Sequence, residues 1–252
     1  MLYLIGLGLC DENDITLRSL KILKECEKVY FESYTNLWFG DLKKLGKLIG
    51  KKIKRLKRKD LEENFDQILE EASKKSVAIL VPGDPLVATT HSTLILEAWK
   101  RKIKTRIIHN SSIISAIAET GIHVYKIGSI LTIPLKEKVE LPISIYQKIK
   151  ESKERGLHTL CLLDLDLEKQ RFLSVKKALE ILLQLEKRFK EKVISEEEEV
   201  VIASKLGCKD SKILFGKIEK FLNLKVKVPA AILILGKLHF MEKEFLEKFR
   251  LT

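Results

Sequence analysis

Residues 81–91 read VPGDPLVATTH, directly after the apolar run SVAIL of residues 76–80. The run is uninterrupted, as strands of a parallel sheet are when both faces are covered. The turn after it is stiff. Pro82 and Pro85 each fix φ and lack a backbone donor, while Gly83 reaches angles closed to other residues. One carboxylate, Asp84, sits at its centre. In open α/β sheets ligands bind beyond the carboxyl ends of strands, so a rigid, acid-bearing turn there is a candidate ligand loop. A turn-forming Asp is the plainer reading, and it leaves the second proline unexplained.

The chain on either side alternates strand and helix. Residues 2–9 are an apolar run, followed by Asn13 or Asp14 as a cap and a helix TLRSLKILKECE with apolar Leu17, Leu20 and Leu23. Further strands are predicted at 28–32, 52–56, 76–81 and 105–110. One helix is predicted from Asp60, with Glu63 as capping partner, to about Lys74. Others run through STLILEAWKRK and through SIISAIAET, the latter capped by Ser111 or Ser112. Between Gly121 and about Pro142, glycines and prolines mark the crossing from one half to the other. Strands at 129–133, 158–165, 199–204, 212–216 and 230–236 then alternate with helices at 143–154 and 174–190, a short helix, and a final one. The acidic EEEE (196–199) reads as a solvated loop. The fold class is α/β, with an N-terminal domain of residues 1–120 and a C-terminal domain of residues 121–252.

Composition narrows the functional classes. The 252 residues are 45% hydrophobic and 33% charged, a globular balance. No apolar run approaches the roughly 18 residues that a membrane helix needs. The N-terminus MLYLIGLGLC lacks a basic leader segment, so a cytoplasmic protein is expected. The four cysteines show no C-x-x-C pairing and no His at ligand spacing, so no metal site is expected. Cys10, Cys26 and Cys161 read as small core residues or element ends. The formal charge of +12 is concentrated in residues 41–59, which hold ten Lys/Arg and one Asp. Such a stretch could meet RNA or an acidic protein. It lacks interleaved aromatics for base stacking, so a solvated face is favoured over specific nucleic-acid recognition.

Two other loops leave strands in a loaded way. GLGLCDEND (6–14) has two glycines that let backbone approach a ligand; position 11 is Asp, which breaks the dinucleotide pattern G-x-G-x-x-G. HNSSIISA (109–116) puts two hydroxyls at a helix start, where an ordinary N-cap is the favoured account for the loop taken alone.

Taken together, LYLIGLGLCDENDIT, FESYT, PGDPLVATTH, HNSSIISA, TGIHVYK, RGLHTLCLLDL and GKLHF resemble the tetrapyrrole-methylase-like class of S-adenosylmethionine-dependent methyltransferases. Within it the likeness is to the diphthine synthase family, with PGDPLVATTH and GKLHF as the discriminating pair. The resemblance implies two α/β domains with a cofactor cleft between them, a homodimer, and S-adenosyl-L-methionine as methyl donor, released as S-adenosyl-L-homocysteine. It implies methylation of the amino group of a modified histidine on translation elongation factor 2, giving diphthine. Carried over by position, the donor contacts are Leu9, Asp84, Val87, Ser112, Ile113, Leu163, Leu206 and Ala230. The family carries a His where this chain has Ala230, so backbone groups near Ala230 and Ala231 are expected to serve there. The rival readings are a related enzyme acting on ribosomal RNA or a tetrapyrrole, and a non-catalytic RNA-binding protein of the same fold. No residue stands out as a general base; His91 is a candidate, with a structural cap or a solvent-facing residue as the favoured reading.

Overall fold

The structure, a computed structural model, describes residues 1–135 and 141–251. Residues 136–140 of the predicted crossing therefore lie outside the described residues. The chain divides into two compact units, Met1–Ile113 and Ile114–Thr252.

The first unit is a five-stranded parallel sheet: β1 (Leu2–Gly6), β2 (Lys28–Glu32), β3 (Ile53–Leu56), β4 (Val77–Val81) and β5 (Thr105–Ile108), in the order β3-β2-β4-β1-β5. Parallel neighbours need crossovers, here supplied by α1 (Leu17–Glu25), α2 (Leu42–Ile49), α3 (Arg58–Glu62), α4 (Asp66–Lys74) and α5 (Ser92–Lys100). All five residues of β4 are buried, because both faces are covered. Val77, Ile79 and Val81 pack with Leu69 and Leu94 of α4 and α5, while Ala78 and Leu80 pack with Leu23 and Leu45 of α1 and α2. That division is the period-two alternation of a strand.

β1 and β4 are neighbours whose onward connections run in opposite directions, to β2 and to β5. The switch point of the sheet therefore lies between their carboxyl ends.

The predicted helix from Asp60 to Lys74 is two helices, α3 and α4, and Asp60 lies within α3, where its carboxylate accepts the Lys57 N–H at 2.8 Å. Strands expected to reach residues 9 and 110 stop at Gly6 and Ile108. The basic stretch covers α2 and the edge strand β3. Some of its cations lie over rings: Arg55 is 5.3 Å from the Phe31 centroid and Arg58 is 4.9 Å from that of Tyr34. Lysines on an exposed edge also deter pairing with another sheet.

The second unit has β6 (Ile127–Ile133), β7 (His158–Leu163), a small hairpin β8 (Leu165–Asp166) and β9 (Arg171–Phe172), then β10 (Glu199–Ser204), β11 (Lys212–Lys217) and β12 (Ala230–Ile234). Its main sheet has the order β11-β10-β12-β7-β6, with β6 and β7 parallel and the other pairs antiparallel. Hydrophobic periodicity does not encode direction, and the β8–β9 strands are too short to show any. SIISAIAET is a four-residue helix α6 (Ile113–Ala116) that tightens into a 3-10 turn, Ile117–Thr120, and ends at Gly121 with φ 83°. Helices α7 (Ile143–Glu154), α8 (Val175–Phe189), α9 (Ile218–Leu222) and α10 (Phe240–Glu247) complete the unit. Tyr146 of α7 and Leu179 and Leu182 of α8 join Cys161 and Ile232 of the sheet in its core. EEEE is the expected solvated turn at Glu196 and Glu197, which are exposed, and it is tied down by ion pairs: Glu197 pairs with Lys217, Glu198 with Lys153, and Glu199 opens β10 and meets Arg250 at 2.7 Å.

Glu242, fully buried in the first turn of α10, fastens this unit. Its carboxylate accepts from the backbone N–H groups of His123 (2.9 Å) and His239 (2.7 Å) and from Lys126 Nζ (2.6 Å), with His158 Nε2 at 3.3 Å. Burial alone would raise its pKa; the Lys126 ammonium and the two backbone donors outweigh that and pull it to about 2. A depressed carboxyl pKa contributes stability that is fully present above its ordinary value and is lost as pH falls through the folded value. We therefore expect Glu242→Gln to lower stability at neutral pH by about 1.5–3 kcal/mol, as for a lost hydrogen bond to a charged group. The wild-type advantage over the variant should shrink as pH falls from 4.5 toward about 2; urea unfolding of both proteins across that range checks it.

Candidate functional site

The loops after β1, β4 and β5 are sewn together at the switch point of the first sheet. Gly8 and Gly83 form a reciprocal backbone pair, Gly83 N–H to Gly8 O at 2.8 Å and Gly8 N–H to Gly83 O at 3.2 Å. Both have left-handed backbones, φ 81° and 72°, which glycine adopts at no steric cost. The approach is close: a Cβ on Gly6 would stand 2.6 Å from Gly83 O and 2.8 Å from Asn110 Cβ. Asn110 supplies the third stitch, its side-chain amide donating to Gly6 O at 3.1 Å and Asp14 O at 3.0 Å.

Asp84 is not the open carboxylate that its sequence position suggests. It is 5% exposed. Its Oδ1 accepts the Leu86 N–H at 3.0 Å, an Asx-type turn, while Oδ2 accepts the Asn110 N–H at 3.2 Å and faces His109 Nδ1 at 2.8 Å. The turn-forming role is real, and the same carboxylate also binds the β4 loop to the β5 loop.

Leu9 comes directly after Gly8 and is half-buried, as is Val87, whose N–H reaches Asp84 O at 3.4 Å. Ser112 is buried and Ile113, the first residue of α6, is half-buried. Chain continuity and the bonds above bring these residues with Asp84 to the carboxyl end of the first sheet. In the second unit, Leu163 ends β7, Leu206 lies just beyond β10 and Ala230 begins β12. Register pairs Ser204 with Ala230 and Ala231 with Leu162. The three therefore share one end of that sheet, because β12 runs against both of its neighbours. Lys205 N–H to Pro229 O (2.9 Å) and Ser204 Oγ to Lys227 O (2.7 Å) fix the local loops.

His91 is neither solvent-facing nor a side-chain cap. It is 2% exposed, its side chain makes no capping bond to α5, and its Nδ1 lies 2.9 Å from Pro85 O. Beside it, Tyr34 is buried, and that burial, reinforced by the nearby carboxylates of Glu32 and Glu62, pushes its hydroxyl pKa up. Asn110, Asp14 and Glu32 do not stand out in the sequence as site residues. Only their place just past apolar runs, inside the loop motifs, marks them. Among the described residues no group of three or more His, Cys, Asp or Glu could hold a metal ion, and no helix is long and apolar enough to cross a membrane.

The family model described as Tetrapyrrole (Corrin/Porphyrin) Methylases matches residues 1–222. A diphthine synthase of Methanocaldococcus jannaschii is 45% identical over 251 residues, covering 98% of both chains. That of Methanococcus maripaludis is 40% identical over 249 residues, again covering 98% of both. Among solved structures, a crystal structure of diphthine synthase superposes with a TM-score of 0.87 at 33% identity, covering 99% of this chain and 96% of that one.

Asp84→Asn tests the carboxylate clamp. An amide keeps one acceptor for Leu86 and turns a donor toward His109 and Asn110, so the junction loses a charge-assisted bond. Stability should fall by about 1.5–3 kcal/mol, read from urea unfolding. A midpoint unchanged from wild type would show that the junction stands without the charge.

Proposed function

Because the chain belongs to the tetrapyrrole (corrin/porphyrin) methylase family, we propose that it is an S-adenosyl-L-methionine-dependent N-methyltransferase of diphthamide biosynthesis. Its substrate is the amino group of the modified histidine of translation elongation factor 2, and its product is diphthine. Near-full-length likeness to diphthine synthases supports this reading. The same reading takes the enzyme as a cytoplasmic homodimer.

The observation that carries the choice of site is Gly83. It is buried at the switch point, yet a Cβ built on it would meet nothing nearer than Ser111 O at 3.9 Å. Backbone is thus presented beside free space between two stitched loops, and a ligand fits such a cradle. Asp84 adds polarity: a carboxylate has about four lone-pair directions, and three are used within the protein. One remains for an N–H or O–H of the donor. Leu9 and Val87 offer apolar surface, and Ser112, Ile113, Leu163, Leu206 and Ala230 are the further proposed contacts.

The donor, when bound, supplies a methyl group on a sulfonium; the amine lone pair forms the N–C bond as the C–S bond breaks, leaving that electron pair on sulfur. The protein's part is to hold the reactants in line and keep the geometry fixed, which is worth roughly 7–11 kcal/mol in well-oriented reactions. The glycine stitches and the Asp84 clamp provide that rigidity before binding, so little ordering is left to do. In this reading the amine proton passes to water, since His91 is buried.

Incubation with methyl-labelled donor and three separate acceptors tests the function: elongation factor 2 bearing the unmethylated intermediate, bulk RNA, and a tetrapyrrole. Label is expected on the elongation factor alone; label on either other acceptor would overturn the reading. For the site, Gly83→Ala puts a methyl group into the cradle. Left-handed backbone on alanine costs roughly 1–2 kcal/mol of stability, and we expect donor affinity measured by calorimetry to drop more than about tenfold, beyond 1.4 kcal/mol. Wild-type affinity in that variant would move the donor away from Gly83.

A further inference from the structure

The motifs FESYT and VATTH bury a carboxylate and an imidazole that the proposed donor contacts do not use. Glu32 ends β2, fully buried, and His91 stands opposite it. His91 Nδ1 is 2.9 Å from Pro85 O. A carbonyl only accepts, so Nδ1 carries a proton and donates. Nε2 has no hydrogen-bond partner and stands 3.9 Å from Glu32 Oε2. Glu32 accepts from the N–H groups of Tyr34 and Thr35 and from the Thr35 hydroxyl. That wraps residues 33–35 into a wall and sets the Tyr34 ring edge-on to the imidazole, centroids 6.2 Å apart.

Burying a ring nitrogen without a partner is unfavourable, so packing alone is a poor reason for histidine at this place. The Pro85 carbonyl is a better one. It also accepts the Thr89 hydroxyl at 2.7 Å, so two side-chain donors from the downstream segment converge on the residue next to Asp84.

We infer that His91 is a positioning residue for the methyl transfer: its Nδ1–H, together with Thr89, locks the Pro85 carbonyl and so holds the Pro-Gly-Asp-Pro turn in the shape that Gly8 and Asn110 grip. Glu32 acts through the 33–35 wall that encloses the ring. The inference rests on the reading of this turn as the donor site. It assigns His91 no proton transfer, because the ring is 2% exposed and its lone-pair nitrogen, Nε2, faces the fully buried Glu32.

Two isosteres separate the ring nitrogens. His91→Asn offers an amide N–H at the place of Nδ1, whereas His91→Gln offers one at the place of Nε2. Calorimetry with S-adenosyl-L-methionine, paired with thermal unfolding, reads both affinity and fold. Asn should bind the donor within about threefold of wild type, while Gln and His91→Ala should weaken it about tenfold, the scale of one hydrogen bond. Thr89→Val, at a half-buried position, removes the other donor to the same carbonyl and should weaken binding about threefold, giving a readout that survives any folding defect at His91. Equal losses for Asn and Gln, or wild-type affinity in Thr89→Val and in the folded His91 variants with only the melting temperature lowered, would overturn the inference and leave His91 a packing residue. A wild type that retains no donor would instead remove the donor-site reading and this inference with it.

Discussion

The reciprocal hydrogen bonds between Gly8 and Gly83 are the constraint on which the first unit's site depends. They join the loop after β1 to the loop after β4, at the one place in the sheet where onward connections diverge. Both residues take the left-handed backbone that glycine allows, and their two peptide groups pair as an extra ladder rung. The neighbouring contacts depend on that rung. Gly6 must also lack a Cβ, because Gly83 O and Asn110 Cβ occupy its space. Asn110 then reaches Gly6 and Asp14, and Asp84 reaches Asn110 in return. The three loops are one polar network, and networks of this kind are strong only when every member is satisfied.

The second unit solves the same problem with a charge instead of glycines. Glu242 gathers the segment before β6, the start of β7 and the start of α10 around one buried carboxylate. The motifs TGIHVYK, RGLHTLCLLDL and GKLHF, far apart in sequence, are neighbours because of it. The antiparallel course of β12 has a further effect. Its first residue, Ala230, meets the sheet end where β7 and β10 finish, so Ala230 offers that end backbone groups and one methyl group. A strand running the other way would have delivered its last residue there.

Much of the fold was legible because apolar runs and glycine–proline punctuation are local signals. SVAIL announced a strand covered on both faces, and β4 is one. PGDP announced a tight turn; the GLGL glycines, expected to let backbone approach a ligand, bring Gly8 against the backbone of Gly83. What was illegible required knowing which distant groups face each other. Asp84 looked like an open carboxylate, since nothing local says that the Asn110 N–H and His109 point at it. His91 comes after two threonines and reads as a cap, because its burial comes from Glu32 and Tyr34, far upstream in the chain. Glu242 is one acid among several in MEKEFLEK. The break between α3 and α4 falls within ENF, whose propensities do not forbid a helix.

The edge strand β3 has a consequence for handling the protein. It is the last strand of its sheet, and Lys54 and Arg55 on it are exposed, so these cations deter a second sheet by repulsion. That repulsion acts over about 10 Å at 0.1 M salt and over only about 3 Å at 1 M. Concentrated salt therefore weakens that guard, which is electrostatic and not built into the backbone of the edge.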